Sequence, residues 1–504
     1  MIARLSIATA MLALYSATAA AATYFVDPPN GNDANSGSTK SAPWKSVPGM
    51  DGVDHWGVFN AGNKIPAGTT IEIKAGAFFL GKRWVIDKTF FQSGTATSPV
   101  IIQVSASWGV GNVVIDGRGA IVPKWLGGVQ ITELSYITIT GAAAARRFEI
   151  KNFLAHSNIL HYNGSNNHSA VGNSLKWFDC HHSASYCVNN SWQDDLLYED
   201  GIAHDNGALE GGTRTQGTGI IMGDANDTTG KNNIIRRVIS YGNGSNSKKI
   251  IDNVSFGFQI TGGENTLFDS CEAYGNGRDG FDGGRADNAG NASMTFINSL
   301  SHDNFEDGFG LNAGPAGNVT AIHINSIASR NGQANWTVYD GARVEIYHAA
   351  GRATGFNILA FMSFPNWPAP TVKIRNSYMS AAKGGRQIQY YNQDRAGYPV
   401  FDSDHNLWVP HNSDSEMFDN DKQGNYSMPP NWKGAHDKLG IEYSLPFLNL
   451  VGDSLLLPKT MPTSKITGIF LTSPLSVRID RNGIERSDPP SIGPFEASGA
   501  KLNK

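Results

Sequence analysis

Five acidic residues stand close together in one part of the chain. Asp279 and Asp282 lie in RDGFDGG (278–284), Glu306 and Asp307 in EDGFGLN (306–312), and Asp340 in YDGARVEIYH (339–348). Asp279, Asp307 and Asp340 each precede a glycine, so a repeat that stacks the glycines also stacks the acids. Like charges ~4 Å apart repel by ~1 kcal/mol in water and ~4 kcal/mol at an effective dielectric of about 20. A fold tolerates such a stack only with protonation, a basic partner or a bound cation. Oxygen donors in this number suit Ca²⁺, which takes about 6–8 of them. The same carboxylates can serve as the general acid and base of a glycoside hydrolase, with an inverting pair ~6.5–9.5 Å apart. A solvated acidic edge that binds nothing is the plain alternative.

The elements that would position these acids repeat. IAHDNG (202–207), ISYGNG (239–244), EAYGNG (272–277), LSHDNF (300–305) and IASRNG (327–332) align Asn206, Asn243, Asn276, Asn304 and Asn331 in one column. The asparagines are 37, 33, 28 and 27 residues apart, and a small residue (Ala203, Ser240, Ala273, Ser301, Ala328) stands three places before each. A second column aligns Gly219, Gly257, Gly280, Gly308 and Gly341. The intervening runs, such as NNIIRRVIS and TAIHINSIA, are short and β-branched and lack a 3.6-residue apolar period. Short strands stacked coil on coil form a parallel β-helix. Identical Asn side chains ~4.8 Å apart along such a stack hydrogen-bond to each other without any catalytic role. His204 and His302 sit on the same turn motif and read as structural.

The blocks GFQITGGENTLFDSCEAYGNGRDGFDGG and TFINSLSHDNFEDGFGLN resemble the core of family nine pectate lyases, most strongly over residues 250–350. The resemblance implies an all-β, right-handed parallel β-helix that cleaves a uronate polymer by calcium-assisted β-elimination. Asp279 matches the family's first calcium acid, and Glu306 and Asp307 match its adjacent pair. The last calcium Asp falls on Gly310, with Asp282 one coil away as a replacement. Arg343 stands where the family has its catalytic Lys, and the two side chains are not interchangeable. As a base, Arg343 would need its pKa depressed; otherwise it clamps a substrate carboxylate or pairs with Asp340 or Glu345. Arg278, Arg285, Asp340, Tyr347, His348 and Lys373 are the expected substrate contacts, with Trp336, Tyr339, Tyr390 and Tyr391 as further stacking or packing aromatics. A metal-independent glycoside hydrolase, a uronate epimerase and a non-catalytic glycan-binding β-helix are the competing readings, because one fold hosts many activities.

The rest of the chain sets limits. Arg4, the apolar stretch Leu5–Tyr15 and the small residues Ala17–Ala22 read as a cleaved signal peptide (1–22), and hence as secretion. No segment approaches the ~18–20 apolar residues of a membrane span. A net charge of −4 gives no strong pull toward nucleic acid. Gly at 57 of 504 residues and 17% charged residues point away from helical bundles. Residues 23–130 read as an N-terminal cap and first coils, 131–440 as the β-helix with its groove, and the Pro-rich 441–504 as a wrapping segment. Cys180 and Cys187 form a small disulfide loop in an oxidising compartment or remain thiols, and Cys271 is expected buried. The partner is an acidic polysaccharide, and the chain is expected to be a monomer.

Overall fold

The computed structural model describes residues 22–162, 170–213, 216–223, 230–244, 255–284, 292–313, 318–353, 357–363, 367–381, 386–392, 399–409, 418–420 and 434–439, with 480, 481, 483–486 and 490. The proposed signal peptide, Arg285 and most of 441–504 lie outside these residues. Among the described residues the regular elements are strands. They form three long sheets of 13, 13 and 12 strands. Sheet one runs from Thr23–Val26 to Val400–Asp404, sheet two from Phe78–Leu80 to Lys438–Leu439, and sheet three from Trp84–Ile86 to Phe418–Asn420. Each coil supplies one strand to sheets one, two and three in that order, and pairs in parallel with the next coil. This is a right-handed parallel β-helix.

Burial follows the period-two pattern of the strands. Thr70–Ala75 and Ala292–Ile297 alternate between half-buried and buried residues, so one side chain in two points inward. Inside, like residues stack: Phe258, Phe281 and Phe309 lie with ring centroids 4.7 and 4.9 Å apart, and Trp336 continues the column. Phe268, Phe296 and His323 form a second column at 5.0 and 4.6 Å. Each such buried side chain contributes ~1.5–3 kcal/mol.

Two corners are turned by single residues in the left-handed region. Between sheets one and two these are Ser270, Asn298, Asn325, His348, Asn376 and His405, with φ between 51° and 58°. Between sheets two and three they are Asp205, Gly242, Gly275, Asp303 and Arg330, each just before an asparagine of the ladder. The ladder is continuous. Asn206 Nδ2 donates to Asn243 Oδ1 (2.7 Å), and Asn243, Asn276 and Asn304 each donate to the next asparagine at 2.9 Å.

The glycine column explains itself against this ladder. A Cβ at Gly280 would lie 2.1 Å from Ser301 Oγ and 2.7 Å from Asn304 Nδ2, and one at Gly257 would lie 2.8 Å from Asn276 Nδ2. Gly219, Gly257, Gly280 and Gly308 therefore stack, as expected. The fifth member does not follow. Gly308 is stacked on Asn335, whose Oδ1 accepts from Asn331 Nδ2 at 3.1 Å and ends the ladder. Gly341, with φ 79°, instead lies at the start of the next strand of sheet one. Asp340 consequently does not share the column of Asp279 and Asp307; Ala334 takes that place, donating its N–H to Asp307 Oδ1.

The N-terminal end is sealed by strand Thr23–Val26 on the edge of sheet one, with Trp44, Trp56 and Trp84 fully buried behind it. Cys180 and Cys187 are disulfide-bonded across the corner between sheets two and three. Cys271 is free and buried. Near the other terminus, Arg486 donates to Asn325 Oδ1 at 2.8 Å and Arg481 donates to Ser299 O and Asn325 O. Arg481 and Arg486 thus lie against the corner between sheets one and two.

Candidate functional site

The coil step from Asn276 to Asn304 is 28 residues, and it places Arg278 beside Glu306 and Asp279 beside Asp307. Backbone bonds fix this stagger: Glu306 N donates to Arg278 O, and Gly280 N donates to Asp307 O. Both aspartates lie just ahead of their sheet-three strands, Phe281–Gly283 and Phe309–Leu311, and each is only 3% exposed. Asp307 N donates to Asp279 Oδ1 at 2.9 Å, so each carboxylate takes a backbone N–H from the coil below.

The outward residues of the following strands pair in register as Gln259, Asp282, Gly310 and Thr337. Gln259 Nε2 donates to Asp282 Oδ2 at 3.3 Å. The charge of Asp282 is a further, smaller contribution to the raised pKa of Asp279. Glu306 pairs with Arg278 at 2.8 Å, while Arg278 Nε stays 4.0 Å from Asp279 Oδ2. The Arg278 guanidinium also covers the Phe256 ring at 5.2 Å.

Burial, and then the charge of Asp307, push the Asp279 carboxyl well above its ordinary value against the pull of Arg278. Burial also drives Asp307 up to about 7, opposed by the Thr337 hydrogen bond and supported by Glu306. Tyr339 ends the strand Ala334–Tyr339 on the same outward face as Thr337. Its phenol is pushed well up by burial and by the charges of Asp307 and Asp279. Gly310 keeps the ground between these groups clear. A Cβ there would meet Asp279 Oδ2 at 3.1 Å.

The donor chemistry fits a hard cation. Asp279, Asp282 and Asp307 offer oxygen only, two of them are nearly buried, and the nearby guanidinium bonds Glu306 at 2.8 Å while standing 4.0 Å from Asp279. Without a cation, the same pair can hold one carboxyl protonated beside an ionised one.

The remaining sequence candidates lie elsewhere. Arg343 is the exposed first residue of the sheet-one strand Arg343–Tyr347 and pairs with Thr320 and Thr371. By register, Thr337 and not Arg343 occupies the place after Asp282 and Gly310. Tyr347 and Lys373 share the outer face of sheet one, the ammonium 5.6 Å from the ring centroid, and Tyr347 OH donates to Glu345. His348 is buried at the corner between sheets one and two, beside Asn376 Nδ2 at 3.3 Å. Trp336 is wholly internal. Tyr339, read from sequence as a stacking or packing ring, is an aromatic whose raised pKa reflects burial and then the charge of the acids. The 27-residue step from Asn304 to Asn331 carries Asp307 onto Ala334, and that count was the available signal.

No protein-family model matches this sequence, and no curated protein matches it. Solved structures similar to it include pectate lyase Pel9A, at 16% identity, covering 95% of this chain and 98% of that chain with a TM-score of 0.48. The A-module of mannuronan C-5 epimerase AlgE4 from Azotobacter vinelandii is 14% identical, covering 74% and 91%, with a TM-score of 0.42. A rhamnogalacturonan lyase is 16% identical, covering 84% and 90%, with a TM-score of 0.42. The likeness to all three is one of fold.

Proposed function

We propose that this protein is a secreted polysaccharide lyase that cleaves a uronate-containing polymer by β-elimination, with Ca²⁺ held by Asp279, Asp307 and Asp282. The observation that carries this reading is the pair Asp279 and Asp307, stacked on successive coils and each 3% exposed. Such a pair is costly to ionise without a cation. Bound there, Ca²⁺ supplies neutralisation of the substrate carboxylate, which makes the adjoining C5 proton easier to remove.

The chain's own residues supply the rest. Glu306 fixes Arg278 at the edge of the acid pair, where the guanidinium can orient a further uronate. Gly310 leaves room for the sugar ring above the carboxylates. Tyr339 is the proton-handling group of this proposal, since it shares the outward face with Thr337 and its titration is tied to Asp307 and Asp279. Burial raises the Tyr339 pKa most, and offsetting the charge of those acids removes the further push that they add. Tyr339 Oη, ionised as phenolate, takes the C5 proton, the C5–H pair becomes the C4–C5 double bond as the C4–O bond breaks, and the leaving oxygen takes that proton back from Tyr339, which restores the phenolate. The Cys180–Cys187 disulfide supports an oxidising, extracytoplasmic compartment. No described helix is long and apolar enough to cross a membrane.

A metal-independent hydrolase is the second reading. It is favoured by the absence of a basic side chain at Thr337 and by the Asp307 carboxyl standing near 7, a fitting value for acid–base work. The deciding experiment follows ultraviolet absorbance of unsaturated ends during digestion of pectic, alginate and other acidic polysaccharides, with Ca²⁺ and with chelator. Absorbance that needs Ca²⁺ and is lost in Asp279→Asn and Tyr339→Phe supports the lyase. New reducing ends without absorbance select the hydrolase. Binding without cleavage would leave a glycan-binding β-helix.

A further inference from the structure

The outer face of sheet two carries a second constellation, away from the acidic site. His181 and His204 are direct partners on adjacent coils, with rings stacked at 4.8 Å and 15°. A ring nitrogen from each and a carboxylate oxygen of Asp179 all lie within 4.8 Å of one another. His204 Nε2 is 3.1 Å from Asp179 Oδ1, while its Nδ1 is 2.8 Å from Asp205 Oδ2. A carboxylate on the far nitrogen is the arrangement that orients metal-bound imidazoles. His181 Nδ1 is 2.6 Å from His182 Nδ1, and its Nε2 faces Glu149 Oε1 at 3.5 Å. One N–H links the two histidines; with His181 as its donor, His181 Nε2 carries a lone pair toward the acids. The side chains of Asp179, His181, His204 and Glu149 are 11–22% exposed, shielded yet within reach of solvent.

A comparison within the molecule sharpens the point. His302 sits in the same setting, with Nε2 3.0 Å from Glu272 and Nδ1 bonded to Asp303. Its stacking neighbour is Tyr274, where His204 has His181. There, one imidazole between two carboxylates is a simple clamp. At His204, two imidazoles and the Asp179 carboxylate converge, with Glu149, itself 2.9 Å from Lys151 Nζ, beside His181; this is a nitrogen-and-oxygen set of the kind zinc takes.

We propose that Asp179, His181 and His204 bind a zinc-class divalent cation that ties successive coils together on the outside of sheet two, with Glu149 of the preceding coil as a fourth ligand once it releases Lys151. Zn–N bonds of ~2.0–2.1 Å require the ligand atoms to close by roughly 1 Å, which side-chain rotation provides. The strand that would be held outside by the ion is held inside by the disulfide at Cys180, between Asp179 and His181.

The test uses the full chain, stripped with chelator and dialysed. Zn²⁺ is titrated by calorimetry, Co²⁺ by visible absorption, and Ca²⁺ serves as the control. One Zn²⁺ per chain, a tetrahedral-type Co²⁺ spectrum and a higher melting temperature are expected. Asp179→Asn, which keeps a hydrogen-bond acceptor for His204, should weaken Zn²⁺ binding at least about tenfold. The double variant His181→Asn/His204→Asn should abolish the Co²⁺ spectrum, and Asp279→Asn/Asp307→Asn should leave it intact. Equal Zn²⁺ binding by folded Asp179→Asn and wild-type chains, or no saturable binding by the wild type, would overturn the proposal and leave His204 as a protonated clamp.

Discussion

Gly310 stands directly in front of the Asp279 carboxylate: a methyl group on residue 310 would lie 3.1 Å from Asp279 Oδ2 and 3.8 Å from Asp307 Oδ2. The contact is to the tip of a side chain, so the fold can absorb it. On the proposed function the site cannot, because the methyl takes the space a sugar carboxylate would need. Gly310→Ala should keep a near-wild-type melting temperature and lower turnover by about tenfold or more, as displacements of an ångström do in reacting groups. Initial rates on the cleaved polymer check this.

Asp307→Asn keeps an acceptor for the Ala334 N–H and removes the repulsion with Asp279. The metal-free variant should be more stable than wild type by about 1 kcal/mol or more. Its melting temperature should no longer rise with Ca²⁺. Thermal melts with and without Ca²⁺ measure both effects, and activity should fall in parallel.

Asn304 lies at the middle of the ladder. It donates to Asn331 Oδ1, Ala273 O and Ser301 Oγ, and accepts from Asn276. Asn304→Ala orphans several buried polar groups at once, each worth about 1–3 kcal/mol. A large fall in melting temperature is expected, far beyond that of Asn265→Ala, whose side chain is exposed. Circular dichroism melts of the two variants make the comparison.

His302 gives a pH dependence with a definite sign. Burial disfavours its charged form, but hydrogen bonds and charge from Asp303 and Glu272 outweigh that and raise its pKa. The stabilisation is therefore fully present below the unfolded value of ~6.5 and is lost as pH climbs through the raised folded value. The melting-temperature gap between wild type and His302→Gln should be wide at about pH 6 and should narrow under alkaline conditions.

Much of this was legible from residue spacing. The asparagine column and the first four glycines are stacked as their spacing implies, because side-chain identity is forced where ladder and strand meet without room for a Cβ. Asp279 and Asp307 follow from the same frame. The fifth coil misled for a physical reason. Where the ladder ends, the space closed to a Cβ elsewhere is filled by Asn335, so the motif disappears and the next Asp-Gly, at a different corner, imitates it. Arg343 was carried along with that shift. Tyr339 was legible only as a stacking or packing ring, because its place follows from the Asn304–Asn331 step and not from the Asp-Gly motif.

The ladder has a final consequence for how this molecule can change in size. Its rungs are equivalent, so inserting one whole coil merely adds a rung and leaves every other amide bonded as before. Lengthening is neutral for the acid pair above Asp279, and below Asp307 only past the next coil, which carries Thr337 and Tyr339. Between them it is not, since their carboxylates work together only at the height of a single step. Along the asparagine ladder, the coils that carry Asp279, Asp307 and Tyr339 are the interval whose spacing is fixed.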